Sequence, residues 1–145
     1  MEKIFLQVSQ RLQSQVSEMR MIDFNYGQLE ILDQDMVPAV VMPCTLIDIN
    51  LARCEDIGNQ EQNVEARITL KLVFRMPYST DNLAGAQRRD KALALMYVVR
   101  RVYKALQGWG SDDFSTLSRV RQASNNRYPG LKIVEMEFST TFIDL

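Results

Sequence analysis

The sequence predicts an α+β fold: a two-layer sandwich in which a mostly antiparallel sheet of four to five strands carries two main helices on one face. Three observations predict it. Apolar residues recur at spacings of three and four in residues 2–19 and again in 86–107, the signature of amphipathic helices. Apolar and polar residues alternate in 64–74 and 132–143, the period of half-buried strands. The order of elements is helix, strands, helix, strands, and the long hairpin-compatible strands favour antiparallel pairing over a doubly wound sheet.

The first helix, residues 2–19, places Phe5, Val8, Leu12, Val16 and Met19 on one face, with Gln7, Gln10, Arg11, Gln13, Ser14, Ser17 and Glu18 around the rest. The period then changes. Residues 23–31 read as a short strand with a bulge at Gly27. Asp33-Gln34-Asp35 reads as a polar turn, and Pro38 and Pro43 bracket an apolar piece that continues through 44–49. Proline cannot donate to a ladder, so Pro43 marks an edge strand or a break. Residues 55–63 (EDIGNQEQN) lack an apolar period and read as a polar loop around Gly58. The cleanest segment follows: Val64, Ala66, Ile68, Leu70, Leu72 and Phe74 alternate with Glu65, Arg67, Thr69, Lys71 and Val73. Such a long strand belongs in the middle of a sheet.

Residues 76–82 read as a loop with cap candidates Ser79, Thr80 and Asp81. The second helix, 86–107, puts Leu93, Met96, Val99, Tyr103 and Leu106 on its apolar face, with Val102 beside them. Lys104 suits the negative end of its dipole, and Gly108 suits the position just past its end. After a turn at 109–113, residues 117–123 are strand-like, 124–130 are rich in turn residues, and 132–143 alternate again. Thr140 falls on the apolar side of that last strand. One domain over 1–145 is the expected organisation.

Composition excludes several classes of function. The chain has 145 residues, 46% of them hydrophobic, and a formal net charge of -1. A chain of this length buries roughly two-thirds of its unfolded surface, enough for a core. Seventeen basic against eighteen acidic residues argue against a binder that works by bulk neutralisation of nucleic-acid phosphate. The absence of histidine removes Ser-His and Cys-His nucleophile pairs and histidine-ligated metals. Two cysteines are too few for a disulfide scaffold or a thiolate zinc site. Cys44, in an apolar run, reads as a small core residue, and both thiols are expected reduced. No window approaches the ~18 apolar residues of a membrane span, and Gln7, Ser9, Gln10 and Arg11 interrupt any leader-like run. The expectation is a soluble chain made in the cytoplasm.

Candidate chemistry is thin. The acid pairs Glu55-Asp56 and Asp112-Asp113 read as solvated loops or caps before they read as ligands, although Asp112, Asp113 and Glu135 leave a carboxylate-dependent enzyme open. Glu135 and Glu137 with Arg67 and Lys71 read as cross-strand charge pairing. Arg88-Arg89 and Arg100-Arg101 read as solvated helix faces, with DNA phosphate or an acidic partner as the alternative. Trp109 reads as a cap on the core, and Tyr78 and Tyr128, in loops, as candidate oligomer contacts. A small domain with a wide sheet, long polar loops and no reactive set is more often an assembly part than an enzyme.

The element order and several strings resemble bacteriophage tail-terminator (tail-completion) proteins of long-tailed phages. The matching parts are the N-terminal helix, Asp23-Phe24-Asn25-Tyr26-Gly27-Gln28-Leu29-Glu30, Val37-Pro38-Ala39-Val40-Val41 leading to Cys44-Thr45-Leu46-Ile47-Asp48-Ile49, and Gly58-Asn59-Gln60-Glu61-Gln62 before the long strand. The long helix, polar turn and two final strands, with Arg127-Tyr128 leading into the last, complete the match. The resemblance implies a virion structural protein, located in the tail, that assembles into a ring, usually a hexamer, on the last layer of the tail tube. The ring stops polymerisation and offers a docking face to the head connector. Its implied partners are further copies of itself, the tail tube protein and a head-completion protein. Neither cofactor, metal, membrane nor sequence-specific nucleic acid is implied. The expected contact residues lie in and around the loops 54–63 and 74–82: Asp56, Gln60, Gln62, Arg75, Tyr78, Arg88, Arg89 and Tyr128. Alternatives are another neck or assembly adaptor of similar fold, a small cytoplasmic ligand-binding dimer, and the carboxylate-dependent enzyme.

Overall fold

A computed structural model describes residues 1–33, 40–76, 82–83 and 85–145. Its elements are α1 (Glu2–Gln15), β1 (Met21–Phe24), α2 (Gln28–Asp33), β2 (Cys44–Gly58), β3 (Glu61–Arg75), α3 (Ala86–Leu106), β4 (Ser118–Asn125) and β5 (Leu131–Asp144). They build one five-stranded sheet of order β1-β2-β3-β5-β4, antiparallel except where β1 runs parallel to β2. The expected α+β sandwich is therefore what the chain forms, with β3, the cleanest alternating segment, as its central strand.

Alternation decides what each face of the sheet buries. Ala66, Ile68, Leu70, Leu72 and Phe74 of β3 point to one side with Val134, Met136 and Phe138 of β5 and Ile47 and Ile49 of β2. Helices α1 and α3 cover that side. Ile4, Val8 and Leu12 of α1 are buried there, each worth on the order of 1.5–3 kcal/mol as apolar burial. The helix ends at Gln15 rather than running to Met19, yet Val16 and Met19 still reach the core as the chain turns into β1. Arg11 ties the two helices together. Its Nε donates to the Ala105 carbonyl at 2.9 Å, and its guanidinium lies 5.4 Å from the Trp109 ring centre. Arg101 of α3 pairs with Glu18.

The buried stripe of α3 is rotated from the expected one. Ala92, Val98, Val99, Val102, Ala105 and Leu106 are buried, whereas Met96 is 56% exposed and Leu93 and Tyr103 are half-buried. The helix carries two overlapping apolar stripes, and the inward one is Val98, Val99, Val102 and Leu106 with Ala92 and Ala105. Gly108 has φ 73, as a helix-terminating residue in the left-handed region should.

Two segments differ from the sequence reading. Residues 23–31 are not a strand. β1 stops at Phe24, Gly27 turns with φ 94, and α2 begins at Gln28. The buried Gln28 side chain makes the turn: its Oε1 accepts from the Tyr26 amide at 2.9 Å and its Nε2 donates to the Phe24 carbonyl at 2.6 Å. α2 packs Leu29 on the opposite side of the sheet from α1 and α3, over Cys44, Leu46, Val73 and Ile133. One end of the sheet is thus sandwiched on both faces. The second difference is larger. Residues 55–63 are no loop but the end of a β2–β3 hairpin closed by Asn59 and Gln60, with φ 54 and 64. Two positive φ values in a two-residue connection match the right-handed twist of the strands. The cap candidates Ser79, Thr80 and Asp81, residues 34–39 with Pro38, and Tyr78 lie outside the described residues. Pro43 marks a break, since β2 begins just after it.

Candidate assembly surfaces

Three surfaces bear on assembly. The first is the far half of the β2–β3 hairpin. β1 pairs with β2 only from Cys44 to Ile47, so among the described residues 48–58 have a strand neighbour on the β3 side alone. Every residue from 50 to 60 is exposed, Ile57 to 52% and Leu51 to 38%. Within 48–63 there are four acids (Asp48, Glu55, Asp56, Glu61) and one base, Arg53, which pairs with Glu55. Gln62 donates to Asp56 at 2.8 Å across the hairpin. Irregularities in register between Leu51 and Arg53 and between Asp56 and Gly58 break the free edge, a device that keeps edge strands from pairing indiscriminately.

The second surface lies at the other edge of the sheet. α3 and β4 flank a groove of about 560 Å³ lined by Met96, Tyr97, Tyr103, Arg100, Arg119 and Lys132, among others. Tyr97 is 64% exposed. The Arg119 guanidinium stacks 3.9 Å from the Tyr103 ring centre, and Lys132 donates to Ser124 at 3.0 Å, which fixes both cations on the rim. The charged residues lining the groove are all basic, Arg100, Arg119 and Lys132. The hairpin end and the groove rim are thus of opposite charge.

The third surface is the wet face of the sheet. Arg67 sits 2.8 Å from Glu65 and 3.8 Å from Glu137, and Arg121 sits 3.6 Å from Glu135. Of the cross-strand pairing read from the sequence, Arg67 with Glu137 is present, whereas Glu135 takes Arg121 of β4 as its partner. Half-exposed pairs of this kind contribute about 0–1 kcal/mol each and serve mainly to fix register.

The carboxylates that a carboxylate-dependent enzyme would need do not converge. Asp113 lies at the helix side, where it accepts from Gln7 at 2.6 Å and Lys3 at 3.3 Å. Those hydrogen bonds, Gln7 first, hold its carboxyl below the usual range. Glu135 belongs to the wet face with Arg121. Among the described residues no cluster of His, Cys, Asp or Glu is arranged to hold a metal ion. Cys44 is buried, and loss of solvent pushes its thiol up to about 11, whereas Cys54 is exposed on the hairpin. Among the described residues no helix is long and apolar enough to cross a membrane.

The candidate contact residues fall into separate places. Asp56, Gln60 and Gln62 gather at the hairpin end. Arg75 is at the opposite end of β3, roughly 45 Å away at ~3.3 Å per residue, and Arg88 and Arg89 are in the first turn of α3. Tyr128 is 6% exposed, packed under α2 with Leu29 and Ile133. Its ring belongs to the second core, because the 124–130 connector folds over the sheet instead of projecting. The Glu30 carboxyl above it is held low, first by its own backbone amide and then by the Tyr128 hydroxyl, Lys71 and Arg127. Met96 and Tyr97, missed as surface residues, carry one sequence signal: they neighbour the basic pair Arg100-Arg101.

No protein-family model matches the sequence, and no curated protein matches it. Among solved structures, a chain from the virion of a native gene transfer agent particle is similar in fold. Its TM-score is 0.50 at 13% identity, with 94% of this chain and 92% of that chain covered. At that identity the likeness is one of fold.

Proposed function

We propose that this chain is a structural protein of a phage-like virion and that it works as a tail terminator, a ring of identical subunits capping the tail tube and presenting a face to the head connector. The observation that carries the reading is the fold correspondence over nearly the full length of both chains with a component of a virion particle. The resemblance of element order and local strings to tail-terminator proteins is what supports the finer role. The physical arrangement suits it. A ring needs two different surfaces on each subunit that meet head to tail, and the two sheet edges of this chain differ in charge and shape. Catalysis has no part in the role, and the scattered carboxylates accord with that.

The test is genetic and structural together. Deleting the gene from its phage or prophage should give tail tubes of uncontrolled, excessive length without heads attached. Electron microscopy of the purified protein, alone and with tail tubes, should show rings or capped tube ends. Tails of normal length that merely fail to join heads would move the chain to a neck adaptor role. A protein that stays monomeric at high concentration and leaves tube growth unaffected would overturn the assembly reading altogether.

A further inference from the structure

The hairpin end and the α3–β4 groove are complementary to one another and cannot meet within one chain. β2 and β4 lie at opposite sides of β3 and β5, some three strand spacings or ~14 Å apart through the sheet. One surface offers Leu51 and Ile57 among Asp48, Glu55, Asp56 and Glu61. The other offers an apolar floor of Met96, Tyr97 and Tyr103 between Arg100, Arg119 and Lys132. We propose that the hairpin end of one copy, residues 48–63, seats in the α3–β4 groove of a second copy, and that this contact is what joins neighbouring subunits. The inference rests on the self-assembling reading above and names the surface through which it operates.

Charge decides the choice of occupant. An anionic partner is what the basic rim attracts, and the acidic hairpin is an anionic projection that also exposes Leu51 and Ile57, on the same chain and hence present at equal concentration. The contact is heterologous. A pair of copies joined this way still has one hairpin and one groove unused, so association continues until the chain of subunits closes. Ring closure, rather than a dimer, is the natural end point. Side chains carry the contact, not an added strand. Both free edges are irregular, β2 at residues 51–53 and 56–58 and β4 at 119–121, so a continuous ladder between copies would meet a bulge on each side. Burial of Leu51 and Ile57 in the groove supplies affinity, and the charges supply orientation and rate.

Two sets of variants test the contact. D56K/E61K reverses the hairpin and R100E/K132E reverses the groove rim, all four at the surface and outside the core clusters. Thermal melts at low concentration check that each variant is folded. In sedimentation velocity each variant alone should associate at least tenfold more weakly than the parent. An equimolar mixture should recover assembly, because every contact in it is again between opposite charges. Recovery should fall with added salt. A second readout uses the native thiol: Cys54 is exposed and Cys44 buried. With Ser124→Cys in the groove, a short bis-maleimide should produce a ladder of covalently joined subunits, whereas Ser14→Cys on α1 should not. Rings that form equally well from both charge variants, or without any product joining Cys54 to the thiol introduced by Ser124→Cys, overturn this interface and leave the assembly reading standing. A chain that neither associates nor cross-links at any concentration overturns both.

Discussion

Gln60 offers a sharp test of the hairpin, because the sequence alone puts it in a loop and the fold puts it in a tight turn at φ 64. A non-glycine residue in the left-handed region costs roughly 1–2 kcal/mol. Gln60→Gly removes that strain. It also gives the unfolded chain more freedom, which costs about 0.4–1 kcal/mol. The first effect exceeds the second, so the variant should be more stable by about 0.5–1 kcal/mol. For a chain of this size that is a rise of about 1–4 °C in the melting temperature. Gln60→Val is the counterpart. A β-branched side chain fits the left-handed region poorly and should lose about 1 kcal/mol or more. Gln60 is exposed, so neither change disturbs the core. The assay is thermal unfolding by circular dichroism at low micromolar concentration, where self-association adds little. In a flexible loop the order would invert: glycine would be slightly destabilising and valine neutral. A glycine variant melting at or below the parent, together with a valine variant that melts with it, would refute the two-residue turn and the hairpin built on it.

Other consequences follow from the same packing. Phe138 is fully buried in the central core, so Phe138→Ala should cost about 3–5 kcal/mol in denaturant unfolding, while Met96→Ala, at an exposed position, should stay within about 0.5 kcal/mol. Equal costs at the two sites would mean that α3 is turned the other way. A thiol reagent near neutral pH should label one cysteine, Cys54, in the native protein and both in denaturant, since Cys44 is buried with its thiol pushed up to about 11. Because that thiol is raised above its unfolded value of 9.0, its contribution is complete below pH 9 and is lost as pH rises from there toward 11. Cys44→Ala should flatten this alkaline loss, which pH-dependent melts would read. Asp113 titrates in the opposite sense. Its carboxyl is lowered from 3.8, so the hold of the 111–114 turn on α1 is complete above that value and fades as pH falls below it; Gln7→Leu should remove most of this acid dependence in hydrogen exchange at 111–114.

Local periodicity was enough for the elements that bury one face. The stripe at Val8 and Leu12, the eleven alternating residues from Val64 to Phe74 and the run from Lys132 to Ile143 each encode their own geometry, and α1, β3 and β5 stand where that geometry puts them. The buried Thr140 shows how far this extends. Placed on the apolar side by register alone, it is satisfied by donating to the Ser115 carbonyl at 2.6 Å. Residues 55–63 escaped the same reading because, Ile57 apart, they are polar on both faces. They become strand only because the central β3 supplies them with a ladder partner. Residues 23–31 escaped because a single side chain, Gln28, turns the chain at Gly27.

The sequence by itself determined the fold class, the central strands, the long helices and the lack of a histidine-based reactive set, since each depends on residue identity and short-range spacing. Only the tertiary structure decided which stripe of α3 faces inward, that Tyr128 is core, and that the acidic hairpin and the basic rim of the α3–β4 groove lie at opposite sides of one sheet. Those outcomes depend on which distant segments are brought together, and pairing across a sheet leaves no period in the chain that forms it.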